Sequence, residues 1–127
     1  MSTIVFDSSV LIAILKQESG FELAEKSLNE ALISTVNLAE VATYLGRNSV
    51  PADTIREALA TFPIQVIAFE EDHALIAGCL YVSCRHLGLS LGDRACLALA
   101  KSKKLPVLTA DKVWSDLDLG ISIQTIR

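Results

Sequence analysis

The chain has 127 residues, of which 51% are hydrophobic and 20% charged, a balance that suits one packed core and excludes a disordered protein. The net charge of −4 argues against a uniformly basic nucleic-acid-binding surface. The sequence has neither the roughly 20-residue apolar run of a membrane helix nor the pattern of a secretion signal. We therefore expect one domain over residues 1–127, without a membrane segment, in the cytoplasm.

Short β-branched or apolar runs alternate with helical patterns along the first half of the chain. The spacing of apolar residues predicts the element type, because buried strands are short and continuous whereas helices repeat every three to four residues. The predicted elements, in chain order, are a strand at 3–6, helices at 10–15 and 21–31, a strand at 32–35 and a helix at 38–45.

The same alternation continues in the second half. Pro51 is placed to open a helix, since proline is favoured in the first helical turn. The elements that follow are a strand at 64–69, helices at 72–86 and 91–102, and strands at 106–109 and 121–126. Strands that alternate with helices predict an α/β fold with a parallel sheet covered on both faces. Ligands of such folds bind outside the carboxyl ends of the strands.

Four acidic residues stand alone among apolar or small neighbours, each near the start of a predicted helix: Asp7, Glu40, Asp93 and Asp111. A carboxylate in apolar surroundings is unfavourable unless something pairs with it. Asp7, Asp93 and Asp111 also fall where a parallel sheet would bring its carboxyl edge together. We therefore expect the acids to converge on a cation.

Helix capping is a simpler interpretation of each acid, because carboxylates are good acceptors for the free N–H groups of a first helical turn. The capping partners would be the helix starting at Ser8 or Ser9 for Asp7, Asn37 for Glu40, Ser90 for Asp93, and the turn at 112–114 for Asp111. Capping does not explain why so many junctions use a carboxylate where serine or threonine would serve.

A convergent set of carboxylates suits Mg²⁺ or Mn²⁺, which prefer oxygen ligands. Such an ion can activate water and stabilise charge on a phosphoryl oxygen. Ser9 lies two residues after Asp7, and Thr109 lies two residues before Asp111. These hydroxyls could orient a ligand or a metal-bound water, or could make only local turn bonds.

Four segments carry a family resemblance: V-F-D-S-S-V-L-I-A at 5–13, I-S-T-V-N-L-A-E-V at 33–41, L-S-L-G-D-R-A-C-L-A-L-A at 89–100 and V-L-T-A-D-K-V-W at 107–114. In these segments, their order and their separations, the chain resembles the PIN-domain ribonucleases. More specifically, it looks like a VapC-type toxin of a toxin–antitoxin pair. The resemblance covers essentially the whole chain.

The resemblance implies a three-layer α/β/α sandwich with a short, mainly parallel central sheet. It also implies Mg²⁺- or Mn²⁺-dependent hydrolysis of RNA phosphodiesters. By position, Asp7, Glu40, Asp93 and Asp111 match the acidic quartet of the family, and we expect Asp7 and Asp93 to bind the metal directly. Glu40 and Asp111 would complete the cage or orient the attacking water.

The resemblance further implies a cognate antitoxin and a homodimer. The antitoxin could lay an apolar helix against the helices predicted near residues 11–14 and 38–45, although burial in the chain's own core would account for the same apolar residues. Arg94, Lys112 and Lys16 are candidate RNA contacts, with solvated helix faces as the alternative. Asp116 is a candidate additional acid.

Other functional classes make different demands. A phosphate-receiving signalling domain needs paired acids after the first strand and a lysine after a late strand. A D-x-D phosphatase needs an acid at position 9, where this chain has Ser9. A PIN-like RNA-processing nuclease outside a toxin–antitoxin pair is a further alternative, as is a non-catalytic RNA-binding module.

The three cysteines, Cys79, Cys84 and Cys96, show no C-x-x-C spacing. We expect buried thiols rather than a zinc site with His73 or His86, because zinc ligands follow characteristic spacings. Both histidines are predicted on helix surfaces.

Overall fold

A computed structural model describes residues 2–127. Its five strands form one sheet in the order β3-β2-β1-β4-β5, and every neighbouring pair is parallel. The strands are β1 (Ile4–Phe6), β2 (Ala31–Ser34), β3 (Gln65–Ile67), β4 (Val107–Thr109) and β5 (Ile123–Thr125). All five lie within the ranges predicted from sequence, apart from Ala31, and the sheet is wholly rather than mainly parallel.

Helices connect the strands and cover both faces of the sheet. The α-helices are α1 (Ser8–Lys16), α2 (Phe21–Ser27), α3 (Thr35–Arg47), α4 (Ala52–Ala60), α5 (Glu71–Cys79), α6 (Tyr81–Cys84) and α7 (Leu91–Lys103). Single 3₁₀ turns occur at Leu28–Glu30, Arg85–Leu87 and Lys112–Asp116. The predicted three-layer α/β/α arrangement is confirmed.

The central strand β1 shows how the layers form. Because successive side chains of a strand point to opposite faces, Ile4 and Phe6 enter a core shared with α1, α2 and α3, while Val5 enters a second core with α7. Trp114 is fully buried in that second core. Burial of a large apolar side chain contributes about 1.5–3 kcal/mol, so both faces of the short sheet stabilise it.

Three predicted helix boundaries were wrong. Ala31 starts β2 opposite Ile4 instead of ending a helix. The helix α3 begins at Thr35, three residues earlier than predicted, because Ser34 caps it by accepting a hydrogen bond from the N–H of Val36. The long helix predicted over 72–86 is split into α5, α6 and a 3₁₀ turn, near Gly78, a residue that weakens helices.

Some predictions about thiols and histidines also require correction. Cys84 and Cys96 are buried as expected, but Cys79 is exposed. His86 is exposed as predicted, whereas His73 is only 5% exposed because its position on α5 faces the interior. Within residues 2–127, no helix combines the length and the apolar composition needed to cross a membrane.

Candidate functional site

The four singled-out acids lie on the elements that meet at the carboxyl edge of the sheet. Asp7 follows β1 directly, and Asp111 lies two residues after the neighbouring strand β4. Asp93 is the third residue of α7, and Glu40 is in the second turn of α3 rather than at its start. The fold therefore delivers two acids from strand ends and two from helices.

Asp7 is the most buried of the four, with only 3% of its surface exposed. It occupies the position before α1, yet its side chain makes no capping bond, so the capping interpretation is wrong for this residue. Its Oδ2 instead accepts hydrogen bonds from Ser9 Oγ at 2.6 Å and from Thr109 Oγ1 at 3.1 Å. The two hydroxyls named from sequence thus both hold Asp7.

The second oxygen of Asp7 is buried and finds no hydrogen-bond partner among residues 2–127. Burial raises the pKa of Asp7 to about 6, and the negative charges of Asp93 and Glu40 act in the same direction, while the bonds from Ser9 and Thr109 oppose the shift. A buried anion with an unpaired oxygen is unfavourable unless a cation or a proton reaches it. This atom is the strongest indication of a ligand in the site.

Ser9 and Thr109 also link the ends of the two strands. The backbone N–H of Ala110 donates to Ser9 Oγ at 3.0 Å, and the N–H of Asp111 donates to Thr109 Oγ1 at 3.1 Å. The hydroxyls therefore accept from the chain after β4 while donating to the acid after β1. Asp7 is oriented by a network that spans both strands.

Glu40 is oriented by a residue that sequence analysis considered only as a capping partner. Asn37 is fully buried, and its Nδ2 donates to Glu40 Oε1 and to the carbonyl oxygen of Gly92, both at 2.9 Å. A Cβ on Gly92 would overlap the Glu40 carboxylate. Glycine at this position of α7 lets the two helices approach. A glycine inside the helical segment L-S-L-G-D could have indicated such a close approach from the sequence, because glycine otherwise weakens a helix.

Asp93 and Asp111 serve local structure as well. Asp93 Oδ2 accepts from the N–H of Ser90 at 2.9 Å, while Ser90 Oγ accepts from the N–H of Asp93, so the predicted capping pair is confirmed. Asp111 is exposed, and its Oδ1 accepts from the N–H of Val113 at 3.0 Å. In each case one carboxylate oxygen is used, and the other remains available to a ligand.

The acids approach one another without forming a closed cage. The charges of Asp7, Asp93 and Glu40 all raise the pKa of the buried Cys96 thiol, after burial itself, so all three acids act on the same buried group. Even so, no group of three or more His, Cys, Asp or Glu side chains within residues 2–127 is arranged tightly enough to hold an ion. The structure brings three of the four acids into electrostatic contact and leaves Asp111 at the rim.

The candidate RNA contacts lie in different settings. Arg94 turns away from its neighbour Asp93: its Nη1 donates to the carbonyl of Ala77 at 2.8 Å, and its guanidinium lies 5.5 Å from the centroid of the Tyr81 ring. Lys112 is exposed beside Asp111, and Asp116 is exposed at the end of the same 3₁₀ turn.

Lys16, the third cation, is exposed at the end of α1, where its Nζ lies 3.5 Å from Glu18 and 5.9 Å from the centroid of the Tyr44 ring. Both contacts are at the surface, where ion pairs and cation–π contacts contribute little. Lys16 is therefore able to move to a ligand.

Comparison with known proteins gives a consistent family assignment. The model of the PIN domain family matches residues 4–119. A VapC ribonuclease of Rhizobium meliloti (strain 1021) is 28% identical over 138 residues, an alignment that covers 90% of this chain and 97% of the relative.

Solved structures share the fold over nearly the whole chain. A DNA-bound VapBC complex from Salmonella typhimurium superposes with a TM-score of 0.79 at 16% identity and covers 100% of both chains. VapC20 from Mycobacterium tuberculosis, described as a toxin that cleaves the sarcin–ricin loop, gives a TM-score of 0.73 at 18% identity, covering 94% of this chain and 99% of VapC20. At such identities these neighbours establish the fold alone.

Proposed function

Since the chain belongs to the PIN domain family, we propose that it is a metal-dependent endoribonuclease, a single nuclease domain over residues 1–127 that acts as the toxin of a toxin–antitoxin pair in the cytoplasm. The observation that carries the proposal is the buried Asp7 carboxylate, whose Oδ1 has no hydrogen-bond partner among the described residues. The negative charges of Asp93 and Glu40 further raise the pKa of this carboxylate. The similarity to a VapC ribonuclease over 90% of the chain supports the choice of RNA as substrate.

The donor set fits a hard divalent cation in its chemistry, while the side chains would have to move closer together to surround the ion. Asp7, Glu40, Asp93 and Asp111 would hold it, and all four offer carboxylate oxygens, the ligands that Mg²⁺ and Mn²⁺ prefer. A bound ion of this kind lowers the pKa of a water and stabilises negative charge on a phosphoryl oxygen. The unpaired Oδ1 of Asp7 and the mutual repulsion of three acids are what a cation would relieve.

The chain itself holds the acids in place before any ion arrives. Ser9 and Thr109 fix Asp7, Asn37 fixes Glu40, and the Ser90 backbone fixes Asp93. Groups that orient ligands in this way typically contribute 10- to 100-fold to metal affinity or activity. We expect an effect of about that size from each of these orienting groups. Prior orientation matters because a cation that must order its own ligands binds more weakly.

The test is cleavage of total RNA by the purified protein, with EDTA, Mg²⁺ or Mn²⁺, followed by mapping of the new ends. Cleavage that requires the metal and is lost in Asp7→Asn supports the proposal. Asp53→Asn is the matched control, because Asp53 is exposed on α4 and the substitution makes the same change of charge. Equal cleavage by Asp7→Asn and the wild type would contradict it.

An antitoxin would find a suitable surface beside α3. Two adjoining apolar grooves run along α3 and α4, and Leu38, Leu59 and Arg56 line both. Leu11 lies at the base of one groove, and Arg56 is exposed at the rim. We propose that an apolar helix of the antitoxin lies here and places an acidic side chain against Arg56.

Co-expression of the chain with its antitoxin tests this surface. Leu59→Glu should abolish the complex while leaving RNA cleavage intact, and Arg56→Glu should weaken it. Retention of the complex by both variants would exclude the groove. A protein that cleaves RNA but has no antitoxin would instead be an RNA-processing nuclease of the same family. The molar mass of the purified chain in solution tests the expected homodimer.

A further inference from the structure

Another cleft lies beside the acids, next to the apolar grooves, and Ala39 of α3 lines both this cleft and one of the grooves. Spaced residues of α1, Ser8 and Ile12, form one wall, and spaced residues of α3, namely Glu40, Tyr44 and Arg47, form the other. The α1–α3 cleft, as we call it, has a volume of about 500 Å³. Sites for small ligands commonly fall in the range of about 300–1,000 Å³, so one nucleotide would fit.

The cleft is continuous with the proposed metal centre. Glu40, one of the four acids, lines it, and Ser8 is the residue after Asp7. Arg47 lies seven residues after Glu40 on the same face of α3, which is about 10 Å along a helix axis. Because Glu40 belongs to both, a strand whose phosphate is held at the acids can extend into this cleft.

Along its length the cleft offers apolar and aromatic groups for a base and then positive charge for a phosphate. Ile12, Val36 and Ala39 line the cleft with apolar side chains, and the half-buried Tyr44 lines it as well. Aromatic rings are platforms on which bases stack. The exposed Arg47 lies beyond Tyr44, with Lys16 beside the ring at 5.9 Å.

The two cations are available to a phosphate. Within residues 2–127, Arg47 pairs with no carboxylate closer than 4.0 Å, and the 3.5 Å contact of Lys16 is to Glu18 at the surface. The cations at the far end of the cleft attract a phosphate directly. The carboxylates at the near end repel a phosphate unless a metal ion lies between them.

The neighbouring grooves distinguish this cleft from a protein-binding surface. The grooves along α3 and α4 are lined mainly by aliphatic residues such as Leu38, Ile55 and Leu59, which suit a peptide helix. Both kinds of surface contain a guanidinium, Arg56 in the grooves and Arg47 in the α1–α3 cleft, but only the cleft adds the phenol ring of Tyr44 and the carboxylate of Glu40. The two surfaces thus offer different chemistry to different partners.

We propose that the α1–α3 cleft is a subsite for the nucleotide next to the scissile phosphate, in which Tyr44 stacks on the base while Arg47 and Lys16 contact the following phosphate. The proposal rests on the proposed ribonuclease function, which it extends by naming residues that position the substrate. Tyr44 and Arg47 are positioning residues, because neither is placed to contact the reacting atoms.

The experiment measures binding of a fluorescein-labelled single-stranded RNA of eight mixed nucleotides by anisotropy, in the Asp7→Asn background so that the strand stays intact. Tyr44→Leu should weaken binding about tenfold, while Tyr44→Phe should stay within about twofold of the parent, since stacking needs the ring and not the hydroxyl. Equal affinity of the leucine and phenylalanine variants would overturn the role of Tyr44.

Arg47 is tested through salt dependence. Arg47→Gln should weaken binding and reduce the slope of log K against log salt by about 0.7, the value for one phosphate contact on a single strand, and Arg47→Lys should restore the slope. Lys103→Gln is the control with the same charge change at the exposed far end of α7. A slope for Arg47→Gln equal to that of Lys103→Gln would overturn the phosphate contact.

Turnover in the wild-type background separates this proposal from the ribonuclease assignment. Tyr44→Leu should raise KM about tenfold with kcat nearly unchanged, because the lost contact is made equally in the ground state and the transition state. If the wild type cleaves RNA and all variants bind equally, the subsite alone fails. If the wild type does not cleave but Tyr44→Leu still weakens binding, the cleft binds RNA, while the nuclease proposal and the position next to a scissile phosphate both fail. Unchanged RNA binding with loss of the antitoxin complex would assign the cleft to a protein.

Discussion

Asp7 and Asp111 follow two neighbouring parallel strands at the same edge of the sheet, yet the chain treats them differently. Asp7 is 3% exposed, held by two hydroxyls and left with one buried oxygen without a partner among residues 2–127. Asp111 is exposed and uses its carboxylate to cap a 3₁₀ turn. A position after a strand therefore places an acid at the carboxyl edge of the sheet. Only a buried acid with an unpaired oxygen is unfavourable unless a cation or a proton binds it.

The largest expected effect separates these two residues by activity. Asp7→Asn should reduce cleavage at least about a hundredfold, because it removes a residue expected to bind the metal directly. Loss of a group that only orients a ligand usually costs 10- to 100-fold, so the loss of the ligand itself should cost more. Asp111→Asn should reduce cleavage by about tenfold or less. Initial rates at saturating Mn²⁺ measure both, and equal losses would show that the buried and the exposed acid contribute equally to cleavage.

The pH dependence of stability gives the next largest effect. The pKa of Asp7 rises from 3.8 to about 6 in the folded chain, so folding favours the protonated form. The stabilisation is complete below pH 3.8 and is lost as the pH rises through about 6. Across that window the metal-free protein should lose about 3 kcal/mol of unfolding free energy through this one group.

Denaturant titrations in EDTA at pH 4, 5, 6 and 7 measure this loss. The unfolding free energy of Asp7→Asn minus that of the wild type should grow by about 2.4 kcal/mol from pH 4 to pH 7, because at pH 4 the stabilisation is not yet complete. Asp111→Asn, as the control, should follow the wild type. A constant difference between Asp7→Asn and wild type would mean that Asp7 is not buried as an anion.

Gly92 offers a test of how the helices bring Glu40 to the site. Gly92→Ala should lower activity with little loss of stability, because the added Cβ overlaps only the carboxylate end of the flexible Glu40 side chain, which must move away from the site. Gly46→Ala and Gly78→Ala are matched controls, since nothing lies within 4 Å of a Cβ at either helical position. These controls should gain about 0.5–1 kcal/mol from the removal of a glycine inside a helix.

Thermal melts with and without Mn²⁺ distinguish these outcomes. The wild type should be stabilised by about 2.7 kcal/mol when the free ion is at a hundred times its Kd. Gly92→Ala should show a smaller shift at the same ion concentration. A Gly92→Ala protein as responsive to the ion as the controls would show that the close approach of α7 to Glu40 is dispensable.

The smallest effect concerns the cap made by Asp111. Asp111→Ala should cost about 1 kcal/mol, a typical value for the loss of a capping acceptor, whereas Asp111→Asn should retain most of the bond to the N–H of Val113. Denaturant midpoints measure the two. Equal destabilisation by alanine and asparagine would indicate that the charge of Asp111, and not its cap, stabilises the fold.

Much of the fold is predictable because strands and helices leave clear periodic patterns. The five strands follow from short β-branched or apolar runs, and their parallel direction follows from the helical segments between them, whereas the order of the strands in the sheet was not predicted. The same reasoning places Asp7 and Asp111 at the carboxyl edge. The capping box of Ser90 and Asp93 is also readable, because it depends on residues three apart in sequence.

Long-range contacts account for what sequence reasoning missed. Asn37 reaches Gly92 across 55 residues, so sequence analysis considered the amide only as a capping partner and passed over the glycine. The bond from Thr109 to Asp7 spans 102 residues and competes with local capping of α1, which is why the capping interpretation failed. His73 is buried because α5 packs inward, which its sequence neighbours do not reveal.

The central claim is that the free oxygen of Asp7 is a metal ligand. The most direct test is an anomalous difference map from crystals of the chain grown with Mn²⁺. We predict a peak about 2 Å from Asp7 Oδ1, the distance expected for a small divalent cation bound to oxygen, with Asp93 or Glu40 as a second ligand. A map with no peak at Asp7, or a peak held only by exposed acids elsewhere, would contradict the claim.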